Sequence, residues 1–123
     1  MTARADDSTA AILVEELRCA YGSKVVLDVD RLAFGRGRIT CVLGPSGCGK
    51  STLLRNILLL ERPTKGRIIE SGVDLVTAAP TVVDAFRRRS GVLFQGAALF
   101  QSLTLAENTA FPLLERGGIS EEL

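Results

Sequence analysis

Gly44-Pro-Ser-Gly-Cys-Gly-Lys-Ser-Thr52 decides how the rest of the chain is read. The apolar run Ile39-Thr-Cys-Val-Leu43 before it predicts a strand, and the leucine-rich residues 51–60 after it predict a helix. This is the full G-x-x-x-x-G-K-[ST] pattern with the flanks a phosphate loop requires. Gly44, Gly47 and Gly49 let the backbone bend tightly and bring N–H groups up to phosphate oxygens, with Pro45, Ser46 and Cys48 completing the loop. A helix beginning near Lys50 turns its N-terminal N–H groups and the positive end of its dipole toward the same anion. Lys50 is placed to reach the β- and γ-phosphates of a nucleoside triphosphate. The Ser51 hydroxyl is placed to ligate Mg²⁺, with Thr52 beside it. A glycine-rich turn that merely precedes a lysine is the other reading of these residues.

The 123 residues suffice for one modest domain, and 46% hydrophobic with 24% charged residues argues against disorder. A formal net charge of +1 advertises neither nucleic acid nor anionic lipid as a partner. Cys19, Cys41 and Cys48 are odd in number and lack metal-like spacing, so they read as incidental thiols of a reducing compartment. The chain contains no histidine, which excludes Ser-His and Cys-His chemistry. Residues 1–10 are polar and carry Asp6 and Asp7, unlike a signal peptide. No apolar run approaches the ~20 residues a membrane span needs. A cytosolic chain is the expectation.

Taken in order, residues 12–21 predict a strand, Tyr21-Gly-Ser23 a turn, and residues 24–30 a second strand that Leu32 to Phe34 can continue. Tyr21 is either an aromatic at a strand end or a flat apolar face on which a base stacks. The helix after the phosphate loop carries apolar residues around so much of its circumference that it predicts burial between a sheet and another layer. Arg62-Pro-Thr-Lys-Gly66 ends it, and residues 67–70 and 73–75 predict short strands around Ser71-Gly72. Pro80 opens a helix through Arg89, whose three terminal arginines read as a solvated helix end. Val92-Leu-Phe94 predicts a buried strand ending at Gln95. Residues 96–103 form an unusually apolar loop, and Thr104-Leu-Ala-Glu107 is a capping box, with Pro112 expected to kink the helix it starts.

With these residues in place, the whole chain resembles the first half of an ATP-binding cassette (ABC) transporter ATPase. Tyr21, residues 44–52, Arg62-Pro-Thr-Lys-Gly66, Gly91-Val-Leu-Phe-Gln95 and Leu103-Thr-Leu-Ala-Glu-Asn108 carry the resemblance. It implies an α/β fold with a P-loop NTPase core, incomplete, joined to an N-terminal antiparallel β layer and the start of a helical subdomain. The division it implies is a polar tail over 1–10 and a partial ATP-binding domain over 11–123. Within that domain lie the β layer (11–37), the core (38–100) and the helical start (101–123).

The resemblance further implies that Tyr21 stacks on adenine and that Gln95 contacts Mg²⁺ or the attacking water. ATP and Mg²⁺ are the implied cofactors. The implied partners are a membrane permease, whose coupling helix docks near residues 95–103, and a second ATPase subunit, at the cytoplasmic face of the membrane. Residues 91–113 are similar to the ATPases of Mla-type and Mce-associated phospholipid transport, although Gly96-Ala-Ala98 stands where that subfamily commonly has Ser-Gly-Ala.

Within the 123 residues there is no Leu-Ser-Gly-Gly-Gln signature, no downstream apolar strand ending in Asp-Glu and no switch histidine. Asp28, after Val25-Val-Leu27, imitates a metal-binding aspartate but precedes the phosphate loop, and Asp74 also comes too early. The chain alone is therefore expected to hydrolyse ATP negligibly and to be marginally folded. Two further readings are a small P-loop kinase and a non-catalytic module that binds nucleotide or permease.

Overall fold

The computed structural model describes residues 10–93 and 99–115. The chain divides into two compact units, one ending at Phe86 and the other beginning at Arg87. The first is built on a four-stranded antiparallel sheet, ordered β2-β1-β3-β4. Its strands are β1 (Ala10–Tyr21), β2 (Lys24–Gly35), β3 (Lys65–Glu70) and β4 (Val73–Asp74). The second strand foreseen over residues 24–30 does run on through Leu32 and Phe34, as one element.

Turn chemistry sets the two hairpins. Tyr21 pairs with Lys24, leaving Gly22 and Ser23 to turn the chain, with Gly22 at φ +59° in the first position, as a type II′ turn requires. Glu70 pairs with Val73, and both intervening residues, Ser71 and Gly72, have positive φ (50° and 82°), the pattern of a type I′ turn.

Long β1 lies in the middle, and its inward face changes parity partway. Val14 is buried, then Leu17 and Cys19, so the alternation slips by one residue at Glu16, whose φ is +47°. The pairing of β1 with β3 shifts by one residue across the same place, the signature of a β-bulge. Gly66 faces this bulge at φ +105°. A Cβ there would lie 2.5 Å from the Glu16 carbonyl oxygen, so the close approach requires glycine. On the outer face, Glu15 is flanked by Arg67 (2.6 Å) and Arg31 (3.8 Å), and Glu16 pairs with Lys65 (2.9 Å).

On the inner face lies the helix α1 (Lys50–Ile57), followed in the chain by α2 (Pro80–Arg89). Val14, Leu17, Leu27, Leu32 and Ile68 of the sheet form one apolar cluster with Leu53, Ile57 and Leu59, joined by Leu75, Val83 and Phe86. Only one face of α1 is buried. Leu54 and Leu60 are each 54% exposed, so the expectation of a helix enclosed on both sides is corrected.

Helix α1 ends earlier than residues 51–60 suggest, in a Schellman motif. The Leu60 N–H donates to the Arg55 carbonyl (2.9 Å) and the Leu59 N–H to the Asn56 carbonyl (2.9 Å), around Leu59 at φ +51°. A leucine in this left-handed position costs about 1–2 kcal/mol. Burial of its side chain to 5% exposure offsets that cost.

Two strand expectations are corrected. Residues 39–43 form no strand, and Ile39 and Leu43 are 97% and 80% exposed. Their apolar pattern suits a central strand, but no strand among the described residues pairs with them, and an unpaired strand leaves its backbone groups unsatisfied. Residues 91–93 are likewise irregular, with Leu93 at 87% exposure, while Phe94 and Gln95 lie outside the described residues.

The second unit contains α3 (Leu105–Glu115). Its capping box forms as expected: the Glu107 carboxylate accepts the Thr104 N–H (2.6 Å), and Thr104 Oγ1 accepts the Glu107 N–H (3.3 Å). Pro112, the residue expected to kink the helix, lies inside it, and the helix continues to Glu115. Asn108 closes the preceding loop onto α3. Its Oδ1 accepts the Phe100 N–H (2.8 Å), and its Nδ2 donates to the carbonyls of Phe100, Leu103 and Thr104 (3.1, 3.0 and 2.9 Å). The Phe100 and Phe111 rings meet at 4.8 Å.

Candidate nucleotide site

The loop from Gly44 to Gly49 owes its course to its glycines. Gly47 and Gly49 have φ of +79° and +94°, conformations in which L-residues are strained. Gly49 is also the N-cap of α1, and a Cβ added there would stand 2.8 Å from the Val26 carbonyl oxygen. The helix thus begins directly against β2, close to the hairpin whose other arm ends in Tyr21. No side chain caps α1. Its first-turn N–H groups, which have no intrahelical partner, remain available to an acceptor from outside the helix.

Lys50 folds back over the loop. Its Nζ donates to the Gly44 and Pro45 carbonyls (2.7 and 2.6 Å) and lies 3.7 Å from Cys48 Sγ. The ammonium is therefore held within the curve of the loop, and its contacts there are with backbone carbonyls rather than a carboxylate. The Ser51 side chain is exposed at the start of the helix, whereas Thr52 is 8% exposed and packs inward.

Tyr21 is half exposed at the end of β1, and its O–H donates to the Glu61 carboxylate. That hydrogen bond pushes the phenol above its ordinary pKa. Burial adds to the rise, and the Arg55 charge opposes it. Glu61 belongs to the turn after α1, which Thr64 ties to β1: the Thr64 N–H donates to the Arg18 carbonyl (2.8 Å), and Thr64 Oγ1 accepts the Ala20 N–H (3.0 Å). Glu61 does not stand out in the sequence, and Thr64 does so only as part of the Arg62-Pro-Thr-Lys-Gly66 turn. Their partners lie about forty positions upstream, and no local pattern carries that pairing.

The two aspartates set aside earlier are engaged elsewhere. Asp28 pairs with Arg18 (3.7 Å), and Asp74 accepts the Val76 N–H and the Thr77 hydroxyl (both 3.0 Å) in a turn. Among the described residues, no group of three or more His, Cys, Asp or Glu side chains is placed to hold a metal ion. Gln95, expected to act on the metal or the attacking water, and residues 96–98 of the apolar loop lie outside the described residues. Leu99 and Phe100, which continue that loop, are 59% and 49% exposed.

A glycine-built loop that runs into a helix packed by one face on a sheet is an arrangement found in the α/β fold of the P-loop NTPases. Two solved structures share it. The dimeric ATP-binding cassette MJ0796 bound to ADP and Pi superposes with a TM-score of 0.76 at 30% identity, over 90% of this chain and 51% of that one. The cbiO1 protein of Clostridium perfringens, part of the ABC transporter complex cbiONQ, gives 0.76 at 26% identity, over 93% and 45%.

The family described as ABC transporter matches residues 27–122, and the chain belongs to that family. It is 37% identical over 112 residues to the intermembrane phospholipid transport system ATP-binding protein MlaF of Haemophilus influenzae, covering 91% of this chain and 42% of that protein. It is 40% identical over 105 residues to the probable ribonucleotide transport ATP-binding protein mkl of Mycobacterium tuberculosis, covering 85% and 29%. The 123 residues therefore span less than half the length of either relative.

Proposed function

We propose that this chain is the nucleotide-binding part of an ABC transporter ATP-binding subunit, with Gly44, Pro45, Ser46, Gly47, Cys48, Gly49, Lys50, Ser51 and Thr52 taking the phosphates of ATP. The observation that carries the reading is Lys50 Nζ held 2.6–2.7 Å from two loop carbonyls, at the uncapped start of α1. When ATP enters, Lys50 exchanges the Gly44 and Pro45 carbonyls for β- and γ-phosphate oxygens, a stronger charge-assisted contact. The loop and first-turn N–H groups take the remaining oxygens.

One exposed hydroxyl, that of Ser51, fits Mg²⁺. This ion is ordinarily held by one or two protein oxygens together with substrate phosphates, and when bound it would supply charge neutralisation at those phosphates. By the family resemblance, Gln95 would contact that ion or the attacking water. Tyr21, at the same end of the β1–β2 hairpin as the loop, stacks on adenine.

The family assignment replaces the small-kinase reading. We read the whole subunit as working at the cytoplasmic face of a membrane with a permease, which meets residues 95–103, and with a second ATPase subunit. No helix among the described residues is itself long and apolar enough to cross a membrane. For cargo, we favour phospholipid on the match to MlaF, which covers more of this chain than the match to mkl.

Calorimetric titration with Mg-ATP tests the binding site. The wild-type chain binds, and Lys50→Ala lowers affinity at least about tenfold, the loss expected from removing one charge-assisted contact. Equal affinity of the two would refute the reading.

A further inference from the structure

We infer that Glu61 is a positioning residue for the base end of the nucleotide: its carboxylate accepts the Tyr21 O–H and fixes the plane in which the phenol ring meets the purine. The inference rests on the nucleotide reading above and adds to it a residue that acts through Tyr21.

Tyr21 is the last residue of β1, before a turn, and is 52% exposed. A side chain so placed has two free torsions unless something holds its tip. Glu61 does so from a part of the chain forty residues away. The bond is made through the phenol oxygen at the ring edge, and a contact there does not itself take up the ring face that stacking uses.

Glu61 is itself firmly set. Its N–H donates to the Arg55 carbonyl (3.3 Å) at the close of α1, and two residues beyond Arg62 the turn is bound to Arg18 and Ala20 through Thr64. Helix α1 therefore carries both ends of the site. Lys50 and Ser51 open it beside the phosphate loop, and its capped end presents Glu61 to Tyr21. Eight helical residues extend about 12 Å at 1.5 Å each, so this one rigid element sets the spacing between phosphate and base contacts. The charged neighbours of the phenol are Glu61 and Arg55, and the thiol of Cys19 is a further titratable one.

The chain has a single tyrosine and no tryptophan, so ultraviolet titration of the phenol reports Tyr21 alone. In the wild-type chain its midpoint lies above the ordinary value of about 10, and Glu61→Ala brings it back toward that value. A second arm compares ATP with inorganic tripolyphosphate, which has no base. Glu61→Ala weakens ATP about fivefold, the worth of one lost hydrogen bond, and leaves tripolyphosphate unchanged.

Tyr21→Phe, which keeps the ring and loses the hydroxyl, gives the same loss. The double variant is no worse than either single one, and Glu61→Gln, which retains an acceptor oxygen, restores most of the ATP affinity. An unmoved phenol midpoint in Glu61→Ala overturns the inference. So does an ATP affinity equal to wild type, or an equal fall for tripolyphosphate. If instead Lys50→Ala binds both ligands as tightly as wild type, the phosphate-loop reading fails, while the phenol titration still decides whether Glu61 holds Tyr21.

Discussion

Gly49 carries two constraints at once. Its φ of +94° strains any residue with a Cβ, and the added atom would meet the Val26 backbone at 2.8 Å. Both act on the start of α1, where phosphate is proposed to bind. Gly49→Ala is expected to cost about 1–3 kcal/mol of stability, read from a denaturant midpoint, and to weaken Mg-ATP binding because the first helical turn must move away from β2. Gly47 has a similar φ but open space around it, so its replacement strains the backbone without forcing β2 aside. The phosphate-loop pattern made the glycines legible in the sequence. It did not show which of them touches a strand, because Val26 enters the contact only through the folded sheet.

Among the elements, those with local signals were legible. Pro80 and the arginines at residues 87–89 bounded α2 as observed, Ser71-Gly72 turned β3 into β4, and Thr104 with Glu107 started α3. The bulge at Glu16 was not legible, since it depends on Gly66 arriving opposite from a later strand. Residues 39–43 show the reverse case: a correct apolar pattern that forms no strand without partners on its flanks.

The capping box makes the element-scale prediction. Thr104→Ala is expected to cost about 1 kcal/mol of helix stability, seen as faster amide exchange in the first turn of α3. Hydrogen bonds from the Thr104 backbone N–H and then its hydroxyl hold the Glu107 carboxyl below its usual pKa. Because the folded value is lowered, the stabilisation is present above the unfolded carboxylate pKa. It is lost as pH falls through that value and the lower folded one, so α3 should fray at acid pH and not at alkaline pH.

At the scale of the molecule, the packing is uneven. The sheet and the inner face of α1 enclose an apolar cluster in which Val14, Leu17, Ile68 and Leu75 are wholly inaccessible. In the same unit Ile39 and Leu43 stand almost fully in solvent. Exposed apolar side chains of this size favour association. Ile39→Lys is therefore expected to raise the protein concentration at which light scattering first detects association. The thermal midpoint should stay unchanged, since Ile39 contributes nothing to the buried cluster. A fall in the midpoint would show that residues 39–43 are structured in solution.

The Asn108 amide binds a stretch of backbone at four places, from Phe100 to Thr104, through a single pivot on α3. Contacts that share one side chain are lost together when it is replaced, so one substitution removes all four and leaves the ring contact of Phe100 with Phe111 as a remaining tie between this segment and α3. Replacing that amide by the nearly isosteric carboxylate of Asp would set a negatively charged oxygen against three carbonyl oxygens and release the segment from that side chain.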